Sequence, residues 1–243
     1  MAIFLKLIFI VIKIILKPNI SKLTSGDIFV ILAHMIKNET FVEYLTELYP
    51  EAKCELSFSN NFELLVAVIL SAQCTDKRVN QVTEKLFKEL KNPQDFVNIS
   101  QEELEQKIYS CGFYHNKAKN IKACASELIE KHNGKVPEDY NQLLALAGVG
   151  RKTANVVSAT AFNKNCIAVD THVLRVSNRL GFTKSNNPNI CERDLVKRFK
   201  TSLGILHHRM VLFGRYYCKA QKPECKTCKL KNECEYYKML THF

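Results

Sequence analysis

The sequence has no stretch in which apolar and polar residues alternate over a sustained run closed by a turn pair. That absence removes sandwiches, barrels and sheet-based α/β folds. Internal repeats and low-complexity tracts are missing too, which excludes solenoids and largely disordered architectures. The polar stretch "TKSNNPN" is a loop, not a long linker. No uninterrupted apolar run reaches the ~20 residues that a membrane-spanning helix needs. Acidic residues are scarce: 24 Asp and Glu face 35 Lys and Arg, for a formal net charge of +11 at pH 7. A surplus of that size favours a polyanionic partner, nucleic acid first, although a basic soluble surface accounts for it equally well.

The most apolar segment is the first. "MAIFLKLIFIVIKIIL" is interrupted by Lys6 and Lys13, and no small-residue cleavage site follows it cleanly. A second run, "DIFVILAHMI", comes next. Residues 1–34 therefore form an apolar extension that is a membrane anchor, a targeting segment, or the product of a start codon upstream of Met35. The last is favoured, because "MIKNETFVEYLTELYPE" opens an ordinary helix of a soluble protein. From Met35 the periodicity is almost wholly helical, with roughly ten helices. Predicted helices include "NNFELLVAVILSAQ", central and capped by Asn60 or Asn61. "QEELEQKIYS" opens on a capping box from Ser100 to Glu103. "NKAKNIKACASELIEKH" ends at Gly134, and "EDYNQLLALA" starts after Pro137. The fold class is all-α.

The chain has ten cysteines. Cys54, Cys74, Cys111, Cys124, Cys166 and Cys191 are scattered, as small buried hydrophobes are. Cys218, Cys225, Cys228 and Cys234 crowd the C-terminus as C-x6-C-x2-C-x5-C. The asymmetry argues against a disulfide framework. Four thiolates at that spacing suit zinc or an iron–sulfur cluster. Tight loops between them would hold Lys219 and Lys222 as phosphate contacts, or leave them on a solvated rim.

"LLALAGVGRKTANVVSA" reads as helix, tight hairpin, helix. Gly148 and Gly150 permit positive φ and close approach of another backbone. The first-turn amides of the second helix have no internal partners and bind phosphate with help from the helix dipole, and Arg151 adds charge. The strand and third glycine of a dinucleotide site are lacking. Lys152 sits at the positive end of that helix beside a like charge, which favours the neutral amine of a nucleophile. Nearby phosphates would oppose this, so Lys152 is equally a phosphate contact. Downstream, Asp170 in "AVDTHVLRVSNRLG" is an N-cap that also has the chemistry to assist proton transfer at a facing lysine. His172 is taken as structural.

Together, "LAGVGRKTANV", "AVDTH" and the terminal cysteine pattern resemble the endonuclease III family of helix–hairpin–helix DNA glycosylases. "LLVAVILSAQCTD" and "GFYHNKAKNI" are similar to it as well, and the likeness covers roughly Met35 to Tyr237 in the family's order. The resemblance implies two helical domains with a DNA groove between them. One is a six-helix barrel ending in the hairpin, at 55–164. The other combines 35–54 with 165–243 and holds a [4Fe–4S] cluster on the four C-terminal cysteines. It implies a monomeric enzyme acting on double-stranded DNA that contains oxidised pyrimidines or abasic sites. The base is removed, and the strand is cut 3′ to the site by β-elimination. Lys152 matches the nucleophile and Asp170 the catalytic carboxylate. Gln73 and Phe113 fall near the lesion, filling the gap or wedging the duplex, with Gly148, Gly150, Arg151, Lys219 and Lys222 on the backbone. Phe113 replaces the family's usual leucine, and Ala147 the usual hairpin proline. Residues 1–34 have no counterpart. In a bacterium such an enzyme is cytoplasmic and nucleoid-associated, and the core has no membrane partner.

Two other functions compete. A monofunctional glycosylase of the same superfamily typically lacks the lysine, so Lys152 argues against it. A non-enzymatic, metal-stabilised DNA-binding module explains the charge, hairpin and cysteines, but leaves Lys152 and Asp170 a coincidence.

Overall fold

A computed structural model describes residues 25–241; the apolar run before residue 25 lies outside them. Every regular element among the described residues is helical, and none of these helices is long and apolar enough to cross a membrane. The first, α1 (Ser25–Leu48), contains the predicted "ETFVEYLTEL" and stops just short of Pro50, where the ring disfavours helical backbone in the residue before it. The chain divides within α1: residues up to Glu43 belong to one unit, and Tyr44 onward to a second that holds all further elements.

At the centre of the second unit is α2 (Asn61–Leu70), buried from Phe62 through Leu70 and capped by Asn60, whose side chain accepts from the Glu63 amide at 2.9 Å. It packs on α3 (Asp76–Glu89), α6 (Tyr114–His132) and α8 (Arg151–Phe162). Truncating one of its fully buried leucines, such as Leu65, would cost about 2–5 kcal/mol. The sequence predicts this helix to continue to Gln73, but it stops at Leu70. The Leu70 carbonyl, which the Cys74 amide would have engaged, instead accepts from Lys117 Nζ at 2.8 Å. The Cys74 amide turns back to Ser71 O at 3.1 Å, and Ser71 Oγ donates to Val68 O. Gln73 is thereby left at φ +52°.

Between α3 and α6 lie α4 (Pro93–Asn98) and α5 (Gln101–Ile108). The predicted capping box on α5 is half formed. Ser100 Oγ accepts from the Glu103 amide at 3.1 Å, but the Glu103 carboxylate pairs with Lys107. The complete box is one element earlier, between Asn92 and Asp95. α6 ends where expected, with Asn133 and Gly134 both left-handed. α7 (Tyr140–Leu144) is shorter than its apolar pattern suggests, because Asp139 caps it by accepting from the Gln142 amide at 2.9 Å.

A buried apolar cluster runs from Leu56 to Ala168. Beyond it come α9 (Thr171–Arg179), α10 (Pro188–Phe199) and α11 (Leu203–Leu212), which continues as a π-helical turn, Phe213–Tyr217. The cysteine-rich loops and α12 (Glu235–Thr241) close the described chain.

α11 carries two adjacent histidines with ring centroids 5.1 Å apart. Burial first, then the neighbouring His207, pushes His208 down to about 4 from 6.5. The unfolded chain therefore takes up a proton below pH 6.5 that the folded chain refuses until about pH 4. This contribution to stability is complete above 6.5 and is lost progressively as the pH falls towards 4. The thermal midpoint is expected to drop between about pH 7 and pH 4.5, with at most about 3 kcal/mol traceable to this group. His208→Gln should flatten the profile; an unchanged slope in that variant would refute the assignment.

Candidate active site

The hairpin between α7 and α8 turns at Gly148, where φ is +75°. A Cβ there would sit 2.8 Å from the Asn120 Cβ on α6, so both backbone angle and space demand glycine. Gly150 differs from expectation. Its φ is −87°, which any residue adopts, and nothing lies within 4 Å of where its Cβ would be. It is the N-cap of α8 and brings no side-chain acceptor, so the first-turn amides stay available to a ligand. The hairpin is tied to α6 by the Ala147 amide, which donates to Glu127 Oε2 at 2.8 Å.

Lys152 is exposed in the first turn of α8. Its neighbour Arg151 is not the free cation assumed from the sequence. Arg151 forms a bidentate pair with Glu192 of α10, Nε to Oε2 at 2.9 Å and Nη2 to Oε1 at 2.8 Å. Its charge is compensated before any ligand arrives.

Asp170 precedes α9 and caps it, Oδ1 accepting from the Val173 amide at 2.7 Å. The non-helical stretch before it, 167–169, is held from two sides. Asn155 of α8 donates Nδ2–H to Ile167 O at 2.9 Å, and His207 Nδ1 lies 2.9 Å from Ala168 O. A carbonyl oxygen only accepts, so Nδ1 carries the proton. Burial pushes His207 down, keeping the ring neutral with Nε2 unprotonated. The charges of Asp170 and Lys152 both act on His207, so the three groups share one neighbourhood.

That neighbourhood is a cavity of about 860 Å³. It is lined by Lys152, Asp170 and Gln73 from the predicted set, together with His172, His207 and Arg215. His172, taken as structural, also hydrogen-bonds Arg175 at 3.1 Å. Sequence reasoning missed His207 and the ion pairs of Arg215. The latter joins Asp76 at 2.9 Å and also Glu55, across more than a hundred residues of chain, with no local signal.

The remaining predicted contacts lie elsewhere. Phe113 is two-thirds exposed and left-handed at φ +48°, immediately ahead of α6. Lys222 is also left-handed, at φ +46°. Gln73, Phe113 and Lys222 thus all occupy a region that costs a non-glycine residue about 1 kcal/mol or more. Lys219 is paired with Glu224 at 2.7 Å.

Cys218, Cys225, Cys228 and Cys234 are free thiols grouped beyond the π-turn. Burial, and then the charges of the other three, push Cys228 up to about 11. No three His, Cys, Asp or Glu among the described residues are placed to hold one metal ion. Arg179 of α9 adds a cation to the donor set. Its Nη1 is 3.4 Å from Cys218 Sγ and donates to Lys219 O at 2.7 Å, while Nη2 donates to Ala220 O at 3.1 Å. The chemistry and charge of these residues fit a multi-thiolate iron–sulfur cluster.

Comparison with known proteins agrees with this picture. Residues 66–201 match the family described as "HhH-GPD superfamily base excision DNA repair protein". The endonuclease III of Bacillus subtilis is 48% identical over 198 residues, which is 81% of this chain and 90% of that one. A trapped endonuclease III–DNA covalent intermediate superposes with a TM-score of 0.80 at 48% identity, covering 84% of this chain and 98% of that one. A non-covalent endonuclease III–DNA complex gives 0.81 at 48% identity, covering 85% and 99%. Matched over 66–201 and 48% identical to a relative across most of both chains, the protein belongs to the HhH-GPD superfamily of base excision DNA repair proteins and, within it, to the endonuclease III family.

Proposed function

We propose that this chain is a base-excision-repair DNA glycosylase with AP lyase activity, acting on duplex DNA through Lys152 and Asp170. The observation that carries the proposal is their shared cavity, in a chain whose relative forms a covalent intermediate with DNA. The damaged nucleotide leaves the stack and enters the cavity. The Lys152 amine attacks C1′, the glycosidic bond breaks and the base leaves with a proton; the C1′–O4′ bond then opens, the ring oxygen takes up the amine's proton, and a C1′=N Schiff base forms. Removal of a C2′ proton then expels the 3′ phosphate, and water releases the lysine. Asp170 supports the cationic sugar and accepts protons. His207, neutral with a free Nε2, positions the carboxylate segment.

The α8 amides and the hairpin hold the backbone phosphate, with Gly150 leaving open space for its approach. Arg151 shares its charge between Glu192 and the DNA. Gln73 and Phe113 enter the duplex, and Lys219 and Lys222 flank it. The substrate class is oxidised pyrimidines and abasic sites. Cys218, Cys225, Cys228 and Cys234 hold a [4Fe–4S] cluster, which supplies a structural pin for the loop bearing Lys219 and Lys222. The division into a barrel at 55–164, a cluster domain from 35–54 and 165–243, and an extension at 1–34 belongs to the same proposal. The apolar cluster from Leu56 to Ala168 supports it.

Borohydride trapping on a thymine-glycol duplex tests the lysine. Wild type should give a covalent adduct; Lys152→Ala should give none and lose at least ~10³-fold in strand cleavage. Base release by wild type without an adduct would point to a monofunctional glycosylase. Asp170→Asn should keep the cap and cost under about 1 kcal/mol of stability, yet still slow turnover; equal losses in both would make Asp170 only a cap. The purified protein should be yellow-brown and carry iron and sulfide, with Cys228→Ser losing both and melting lower. A colourless protein carrying zinc would overturn the cluster.

A further inference from the structure

Gln73 and Phe113, the two residues proposed to enter the duplex, each have a cysteine close by. Cys74 follows Gln73 directly, and Cys111 lies two residues before Phe113. The proposed reaction uses neither thiol. They come from loops far apart in sequence, yet the two thiols lie close enough to act on each other's ionisation. Lys117 fixes that meeting. Its ammonium, 5% exposed, donates to Leu70 O at 2.8 Å on one side and to Cys111 O at 2.7 Å on the other. Cys74 is half-buried and lines the active-site cavity, whereas Cys111 is 1% exposed. One thiol is reachable by a small solute and the other is sealed from solvent.

We propose that Cys74 and Cys111 are an oxidisable dithiol, a modification site whose disulfide ties the Gln73 and Phe113 loops together and weakens DNA binding. The effect on DNA rests on the proposed function; the disulfide itself does not.

Hydrogen peroxide is the simplest oxidant of the required class. The Cys74 thiolate attacks one peroxide oxygen and the O–O bond breaks. Cys74 becomes a sulfenic acid, and the other oxygen leaves as water with the thiol proton. Cys111 then attacks the Cys74 sulfur, the S–O bond breaks, and a second water departs with the Cys111 proton. Two thiols lose two electrons and two protons, and the peroxide is reduced to two waters. Cys74 lines the cavity and meets the oxidant first, and buried Cys111 is left to resolve the sulfenic acid.

To form a disulfide the two sulfurs must close to about 2.05 Å, which draws the loops together. The backbone beside the two thiols is Gln73, Gly112 and Phe113, all at positive φ, +52°, +65° and +48°. Little rotational slack remains there, so the displacement passes to the two side chains facing the DNA.

The test uses full-length wild type and Cys111→Ser, treated with graded hydrogen peroxide, alkylated, digested and mapped by mass spectrometry. A linked Cys74–Cys111 peptide, two hydrogens lighter than its parts and absent in the variant, is expected at low oxidant. In parallel, affinity for a duplex with an abasic-site analogue should fall about tenfold and return with dithiothreitol at unchanged iron content. The variant's affinity should not respond to the same dose. Free alkylation of both thiols, or a Cys74 sulfinic acid without a cross-link, would overturn the site. A cross-link with unchanged affinity would overturn its effect on DNA. If reduced wild type bound no duplex, the proposed function and the effect on DNA would fail together, while the peptide map would still decide the dithiol.

Discussion

The site depends on a short non-helical segment, 167–170, clamped between two helices. Asn155 of α8 holds the Ile167 carbonyl and His207 of α11 holds the Ala168 carbonyl. The segment is buried, so each carbonyl would cost about 1–3 kcal/mol if left unpaired, and both clamps are strongly favoured. One of them grows from α8, whose first turn carries Lys152. Its first turn and the Asp170 cap are therefore set on a common frame one helix long. Lysine and carboxylate need no direct contact to be held in relation; the backbone between them is the ruler.

Much of this was legible along the chain, because the signals are local. Caps such as Asn60, Ser100, Asp139 and Asp170 form where polar side chains precede apolar periodicity. The hairpin glycines, the lysine and the cysteine spacing could be read in the same way. Several local inferences did not survive intact: the Ser100–Glu103 box is half formed and α7 is short. Gly150 is not left-handed, since only Gly148 carries the turn, and α2 stops a turn early. The cause of the latter is Lys117, 47 residues away from Leu70, and no pattern within α2 encodes it.

The rest was illegible for the same reason. His207 looks like one more polar residue in an apolar helix until its partner Ala168, 39 residues earlier, is known. Arg215 reaches Asp76 across 139 positions, and Arg179 reaches the cysteine loop across 40. Long side chains that satisfy backbone carbonyls or carboxylates of other elements leave no period and no spacing. They are visible only once the fold has been closed, and here they surround the proposed active site.

The bidentate pair between Arg151 and Glu192 has a consequence for how the protein meets a polyelectrolyte. A cation that already has a carboxylate partner displaces few of the counterions condensed on a nucleic acid, because it brings little net charge. Lys219 with Glu224 and Lys164 with Glu138 are in the same position. The count of 35 lysines and arginines thus overstates the cations free to meet phosphate. The logarithm of affinity should fall with the logarithm of salt more gently than the count of lysines and arginines suggests. Much of the grip would then come from backbone amides, whose dipoles a salt solution screens poorly once water is excluded.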